Sequence, residues 1–363
     1  MNVSALDHYV TLGGSGLRVS PLCLGTMTFG EDWSWGTEPE GSKEILAAYL
    51  DRGGNFIDTA NIYTKGHSEV VIGEYLKVNP EHRRRAVIAT KFGGGMYPGD
   101  PNGGGTHRRA VFDAVEHSLR RLQMDHVDLL WCHFQDPHTP IVETLGAMND
   151  LVRQGKVRYI GLSDHPAWVC AQAQYECRLN HFAPIVALQI EHSLAERTVE
   201  AELMPMAREL GMGVTPWSPL KGGILTGKYT RENVKQDEGR GAAWEREITE
   251  KHWEILDALH AVADETGKPV AQVALRWVVD RAGVSSTIIG ARTMSQLESN
   301  LGCLDVSLSD EQTARLDEAS KVPMAFPFDF LGRAKTTIQN GSRVNDVETE
   351  RWPLSPDGDG DRW

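Results

Sequence analysis

Eight short apolar runs rich in β-branched residues recur along this chain, each followed by a longer stretch of helical period. They occupy residues 19–27 ("VSPLCLGTM"), 55–60 ("NFIDTA"), 86–92, 127–134, 157–164, 184–192, 213–220 and 285–292. The stretches between them are amphipathic. In "SKEILAAYLDRGG", Ile45, Leu46, Tyr49 and Leu50 share one face before Gly53 and Gly54 stop the helix, and "TVEAELMPMARELG" ends on Gly211. Near-continuous apolar strands separated by helices require a parallel sheet covered on both faces. Such an α/β sheet is either open and doubly wound or closed into a (β/α)8 TIM barrel. A count of eight favours the barrel. No early strand runs into a GxGxxG turn, since "GGSGLR" (13–18) lacks the last glycine.

Nothing along the chain reads as a linker, so residues 1–363 are expected to form one domain, with the barrel over 18–320. An N-terminal β-hairpin around "LGGSGLR" precedes it, and a long irregular C-terminal tail rich in Pro, Gly and Asp covers 321–363. Between the seventh and eighth runs, a polar loop (228–248) and two helices interrupt the repeat. Ser309 and Gln312 form a capping box that opens the last helix before the tail.

A net charge of −13 argues against nucleic acid as a partner, because phosphate binding needs a basic face. The five cysteines form no CxxC pair and there is no HExxH, so no metal site is expected. No apolar run approaches the roughly 18 residues of a membrane span, and no basic-then-apolar start marks a secretory signal. The expectation is a cytoplasmic protein with reduced thiols and no membrane contact. Monomer and homo-oligomer both stay open.

In a parallel barrel the C-terminal strand ends converge on one mouth, where catalysis takes place. Here they carry Asp58, Lys91, His133, Ser163 with Asp164, Gln189, Trp217 with Ser218, and Gly290 to Arg292. Tyr63 lies in the loop after the second run. Any one of these alone reads as a turn or capping residue. Ionisable groups ending three successive strands do not, because Lys and Asp rarely face a barrel interior unless paired. Asp58, Tyr63, Lys91 and His133 together suit one chemistry. A phenol is a weak acid at neutral pH, and a nearby ammonium stabilises its phenolate. An aspartate keeps that lysine charged, and an imidazole donates to a carbonyl oxygen. Such a site protonates an oxygen while a hydride reaches the attached carbon.

Seven segments in order, "GGNFIDTANIY", "IATKFG", "SLRRLQMDHVDLLWCHFQDP", "LVRQGKVRYIGLSD", "LQIEHSLAER", "WSPLKGGILTGKY" and "IIGARTMSQLESNL", make residues 10–320 resemble the aldo-keto reductase superfamily. The resemblance implies an oxidoreductase that binds NADP(H) across the barrel mouth and reduces a small-molecule aldehyde or ketone to an alcohol. It assigns Tyr63 as general acid, Lys91 and Asp58 as its tuning pair, and His133 as the donor that orients the carbonyl. It brings Gly25, Thr26 and Met27, beside Asp58, near the nicotinamide ribose, and Ser163 and Gln189 to the carboxamide. Asp164 stands where the family usually has Asn, and Trp217 where an aromatic ring stacks under the nicotinamide. Ser218, Pro219, Leu220 and Gly222 match the pyrophosphate loop. Gly290, Arg292, Gln296 and Asn300 match the adenosine end. With one arginine there for a 2′-phosphate, NADP(H) is expected and NAD(H) is the alternative.

Substrate contacts are expected from Trp33 and Trp35 in "EDWSWGTEP", from Tyr97 in the glycine-rich loop, and from Phe134. These aromatics slightly favour aryl or planar substrates. Two other readings stay open. One is net oxidation of an alcohol or aldose with NADP, and the other is a cofactor-sensing regulatory subunit resembling those of potassium channels.

Overall fold

The computed structural model describes residues 3–232 and 248–362. An antiparallel hairpin, β1 (Val10–Thr11) with β2 (Arg18–Val19), precedes a parallel sheet. That sheet holds β3 (Leu22–Gly25), β4 (Phe56–Asp58), β5 (Val87–Phe92) and β6 (Val127–Cys132). It continues with β7 (Val157–Ser163), β8 (Ile185–Glu191), β9 (Gly213–Trp217) and β10 (Thr287–Gly290). The order is β10-β3-β4-β5-β6-β7-β8-β9. A parallel bridge between Val214 and Val284 joins β9 to the segment entering β10, and Ser285 N–H donates to Val214 O at 2.8 Å. The ring is thereby drawn nearly shut, as a (β/α)8 barrel requires.

Alternation along the strands decides which side chains fill the bore. Cys23, Phe56, Val87, Ala89, Leu129, Trp131, Ala187 and Ile288 pack together inside, while Leu24, Ile57, Ile88 and Leu130 face the helices. Leu12 and Val19 of the hairpin join the inner cluster and plug its N-terminal end. Gly13 makes that plug possible: at φ +59°, a Cβ there would stand 2.4 Å from Gly213 N and 2.6 Å from Val186 O. Register sets Lys91 beside Trp131 and Trp131 beside Gly161, on the same face of the sheet. The Trp131 indole fills the space Gly161 leaves, where a Cβ would come within 2.5 Å of the ring.

A smaller core lies outside the barrel wall. Helices Glu250–Thr266, Val270–Val279 and Asp310–Ala319 meet there through Leu259, Trp277 and Leu316. The capping box at Ser309 and Gln312 is present, with reciprocal bonds of 3.2 and 3.0 Å. Beside this core a buried His192 meets Glu200 at 3.0 Å through Nε2, and Arg197 holds the same carboxylate at 2.8 and 2.9 Å. The polar loop expected at 228–248 falls mostly outside the described residues.

Chain contacts divide the protein into two compact units, Met1–Ser320 and Lys321–Trp363. The tail is less irregular than its composition implies. It contains a helix, Phe328–Gln339, and a short hairpin, Arg343–Val344 with Val347–Glu348. That helix buries no residue, and Phe330, Leu331 and Ile338 are exposed. No described helix is long and apolar enough to cross a membrane.

Candidate active site

Asp58 closes β4, Lys91 is the penultimate residue of β5, and His133 follows β6 directly, its N–H donating to Phe92 O at 3.0 Å. Lys91 is fully buried and Asp58 nearly so. The lysine ammonium donates to Asp58 Oδ2, to Thr59 O at 3.0 Å and to Tyr63 Oη at 2.9 Å. All three of its hydrogens are therefore directed. The second Asp58 oxygen accepts from Gln189 Nε2 at 3.0 Å. Burial by itself would lower the Lys91 pKa, but Asp58 and then Tyr63 outweigh it and hold it above the usual lysine value. Lys91 is charged.

His133 is the opposite case. Burial, reinforced by the Lys91 charge, lowers its pKa to about 3, so the ring is neutral. Its Nδ1 is buried and has no partner among the described residues. A buried N–H without an acceptor is among the rarest arrangements in proteins, so the proton belongs on Nε2. A neutral imidazole thus offers an N–H donor with its ring edge-to-face with Tyr63, centroids 6.0 Å apart.

Tyr63 owes its position to an unusual turn, Tyr63–Gly66, in which Thr64, Lys65 and Gly66 have φ of 45°, 57° and 94°. Left-handed backbone at two successive non-glycine residues is strained and must be held from outside. Thr64 Oγ1 supplies part of that hold. It donates to Phe29 O at 2.7 Å and accepts from Ser68 N at 3.0 Å. One turn on, the buried Glu69 accepts from Thr90 Oγ1 at 2.6 Å and Arg121 Nε at 2.7 Å, which ties helix His67–Val78 to β5.

The remaining strand ends form the rest of the rim. Thr26, buried after Gly25, donates to Asp58 O at 3.0 Å, and the half-buried Met27 follows it. Asp164 accepts from Ser163 Oγ and from Trp217 Nε1, each at 3.0 Å. Surrounding protein raises the Asp164 pKa to about 6, against the opposing effect of those two hydrogen bonds. Beyond Trp217, Ser218 has φ of 54° and its Oγ accepts from Gly222 N at 3.2 Å, so residues 218–222 curl back on themselves. Pro219 is buried and Leu220 packs on the core. A Cβ on Gly290 would meet nothing within 4 Å.

Two residues matched to the adenosine end already have local partners. Asn300 Nδ2 donates to Gly290 O at 2.9 Å, and Gln296 Oε1 accepts from Arg292 N at 2.8 Å. Thr293 Oγ1 accepts from Gln296 N at 3.2 Å and so caps helix Met294–Leu301. The Arg292 guanidinium forms no ion pair among the described residues.

Of the four expected substrate contacts, three gather at Tyr63. Trp33 lies edge-on to its ring at 6.4 Å, Trp35 lies 5.6 Å beyond Trp33, and Phe134 stacks on His133 at 4.9 Å. Tyr97 does not join them. Its hydroxyl meets His117 Nδ1 at 2.9 Å, and with Asn61, Gly93 and the glycine-rich segment it lines a cavity of about 290 Å³. Sequence reading missed the Thr59 carbonyl, the stitching role of Thr64, and the Gln189–Asp58 bond. The "TKG" after Tyr63 is a signal for the turn that Thr64 stitches, since a glycine there invites a left-handed turn.

The family model described as the aldo/keto reductase family matches residues 21–321. The chain is 39% identical over 322 residues to the uncharacterized oxidoreductase YrpG of Bacillus subtilis, covering 86% of this chain and 95% of that protein. It is 33% identical over 370 residues to an aryl-alcohol dehydrogenase [NADP(+)] of Phanerodontia chrysosporium, covering 95% and 94%. A norsolorinic acid reductase of Aspergillus flavus is 32% identical over 357 residues, covering 96% and 89%.

Proposed function

This chain belongs to the aldo/keto reductase family, whose relatives here are oxidoreductases, and we propose that it reduces an aldehyde or ketone to an alcohol with NADP(H). The observation that carries the proposal is the Lys91 ammonium, held by buried Asp58 and donating to Tyr63 Oη at 2.9 Å.

Tyr63 gives its proton to the carbonyl oxygen. Lys91 stabilises the phenolate left behind, and Asp58 keeps Lys91 charged and aimed. His133 donates from Nε2 to the same carbonyl oxygen without carrying charge, which fixes the carbonyl against Tyr63. NADP(H), when bound, supplies the hydride. Residues suited to hold it are Gly25 to Met27, Ser163, Asp164, Gln189, Trp217, residues 218–220, Gly222, Gly290 and Arg292. Two features support that fit: the open space over Gly290, and an Arg292 guanidinium with no anionic partner among the described residues. Gln296 and Asn300 act there by shaping the Arg292 and Gly290 backbone. The same groups run the reverse oxidation, with Tyr63 phenolate as base.

The substrate is an aryl carbonyl compound. A continuous row of rings, Trp35, Trp33, Tyr63, His133 and Phe134, supports this, because aromatic faces and edges favour planar partners. Relatives named for aryl-alcohol and norsolorinic acid chemistry point the same way. Five free, buried cysteines suit the reducing cytoplasm.

Titrating the protein with NADPH and NADH by tryptophan fluorescence, followed by turnover of an aldehyde panel, tests the reading. Tight NADPH binding and faster reduction of aryl than alkyl aldehydes is the expected result. Binding of neither nucleotide overturns it.

A further inference from the structure

Trp33 belongs to a loop closed at its base by a bridge between Phe29 and Thr37, with Gly30 N–H donating to Thr37 O at 2.8 Å. The turn bearing Tyr63 lies against that loop, and two side-chain bonds join them. The buried Thr64 Oγ1 donates to Phe29 O at 2.7 Å, and His67 Nδ1 meets Asp32 Oδ2 at 3.0 Å. Thr64 anchors the foot of the loop. Asp32 is the residue next to Trp33, so the His67 bond reaches its working end. Ser34, on the other side of Trp33, has φ of 66° in a tight turn in which its N–H donates to Glu31 O at 2.9 Å and its Oγ to Trp33 O at 2.6 Å. Among the described residues, neither Asp32 nor His67 forms a hydrogen bond with Lys91, Asp58 or His133.

We propose that Asp32 and His67 are positioning residues that clasp Trp33 against Tyr63 and thereby select planar aryl carbonyl substrates. The selection rests on the reading of Tyr63 as the reacting acid; the clasp itself does not. An aryl ring gains from an edge or face contact with Trp33 only while Trp33 is held, because an unheld loop must be ordered at each binding event. A three-carbon aldehyde presents no ring to Trp33 and loses nothing when the loop is released. The clasp therefore acts on KM for one substrate class and leaves the proton transfer at Tyr63 alone.

Two readouts test this. The first is independent of catalysis. Trp33 and Trp35 lie 5.6 Å apart with planes at 40°, close and inclined enough to couple in far-ultraviolet circular dichroism. The difference spectrum between the unaltered protein and Trp33→Phe defines that signal. Asp32→Ala and His67→Ala, which remove one partner each, are each expected to abolish it, while Asp32→Asn, which keeps an acceptor oxygen for His67, should retain part. The second readout is kinetic, with NADPH and either 2-naphthaldehyde or propanal. Both alanine variants should raise KM for 2-naphthaldehyde roughly tenfold, the size of one aromatic contact, while kcat and the propanal KM hold within about twofold. The double variant should match the singles, since either change opens the same bond. A ring signal that survives in Asp32→Ala and His67→Ala overturns the clasp even if no aldehyde is ever turned over. Equal KM changes for both aldehydes, or none for either, overturn the selection. Failure of the unaltered protein to reduce any aldehyde instead overturns the reading of Tyr63, and the spectral arm still decides the clasp.

Discussion

The Lys91 ammonium and the Tyr63 hydroxyl stand 2.9 Å apart at the mouth of the barrel, and the other two lysine hydrogens go to Asp58 and Thr59 O. Full use of these hydrogens makes the lysine rigid as well as charged. Under the proposed function, a proton donor at Tyr63 would work beside a fixed cation that is itself buried, where the interaction is strongest.

Breaking that pair on one side strands a buried charge. Lys91→Met and Asp58→Asn should each cost about 3–5 kcal/mol in urea unfolding. The double variant should be less destabilised than the sum, because no uncompensated charge remains. All three should lose carbonyl reduction. Additive stability losses would show that the two groups do not act as a pair.

His133 should contribute no limb to the pH–rate profile. Its folded pKa is lowered to about 3 from 6.5, so the stability it gains by staying neutral is present above 6.5 and lost as pH falls through 3. Across pH 5–8 the ring stays neutral. His133→Ala should lower kcat/KM by about 10²–10³ at every pH in that window, with the shape of the profile unchanged. An inflection near pH 6.5 that vanishes in the variant would show instead that His133 titrates during turnover.

Gly161 is needed by Trp131. Gly161→Ala places a Cβ 2.5 Å from the indole and 3.0 Å from Ala187 O, which should cost about 1–3 kcal/mol. Because Trp131 is the register neighbour of Lys91, turnover should fall with stability. Trp131→Leu in the same chain should recover part of the stability in thermal unfolding.

Glu200 ties the wall of the barrel to the outer helices. Burial alone would raise its pKa, but bonds from His192 and Arg197 outweigh this and lower it to about 2. Its folded value lies below the unfolded 4.5, so its contribution is complete above 4.5 and is lost as pH falls through 2. Glu200→Gln should cost about 1–3 kcal/mol at pH 7. The gap in Tm between the two proteins should close as pH falls from 4.5 toward 2.

The barrel and its charged mouth were legible in the sequence because both are local signals. An apolar run that ends on Asp58 or Lys91 shows strand and reactive group in one short window, and eight such runs count the strands. What the sequence hid depends on distant pairs or on backbone geometry. Asp32 and His67 are separated by 35 positions, and either alone reads as a solvated polar residue. Tyr97 sits in a glycine-rich segment whose path nothing local determines, so its bond to His117 could not be foreseen. Gln296 and Asn300 matched ligand positions by motif, yet each has a backbone partner nearby that a motif does not display. The tail helix escaped although Phe328, Leu331, Ala334 and Ile338 recur at helical spacing, because the surrounding Pro, Gly and Asp read as an irregular segment.

The most direct test of the central claim is Tyr63→Phe, measured by NADPH binding and by turnover of an aryl aldehyde. The substitution removes only the hydroxyl that Lys91 addresses. The account predicts a fall in kcat/KM of at least about 10²–10⁴ with the NADPH Kd within about twofold. Turnover close to that of the unaltered protein, or an equal loss in binding and turnover, would contradict it and leave Tyr63 a structural residue.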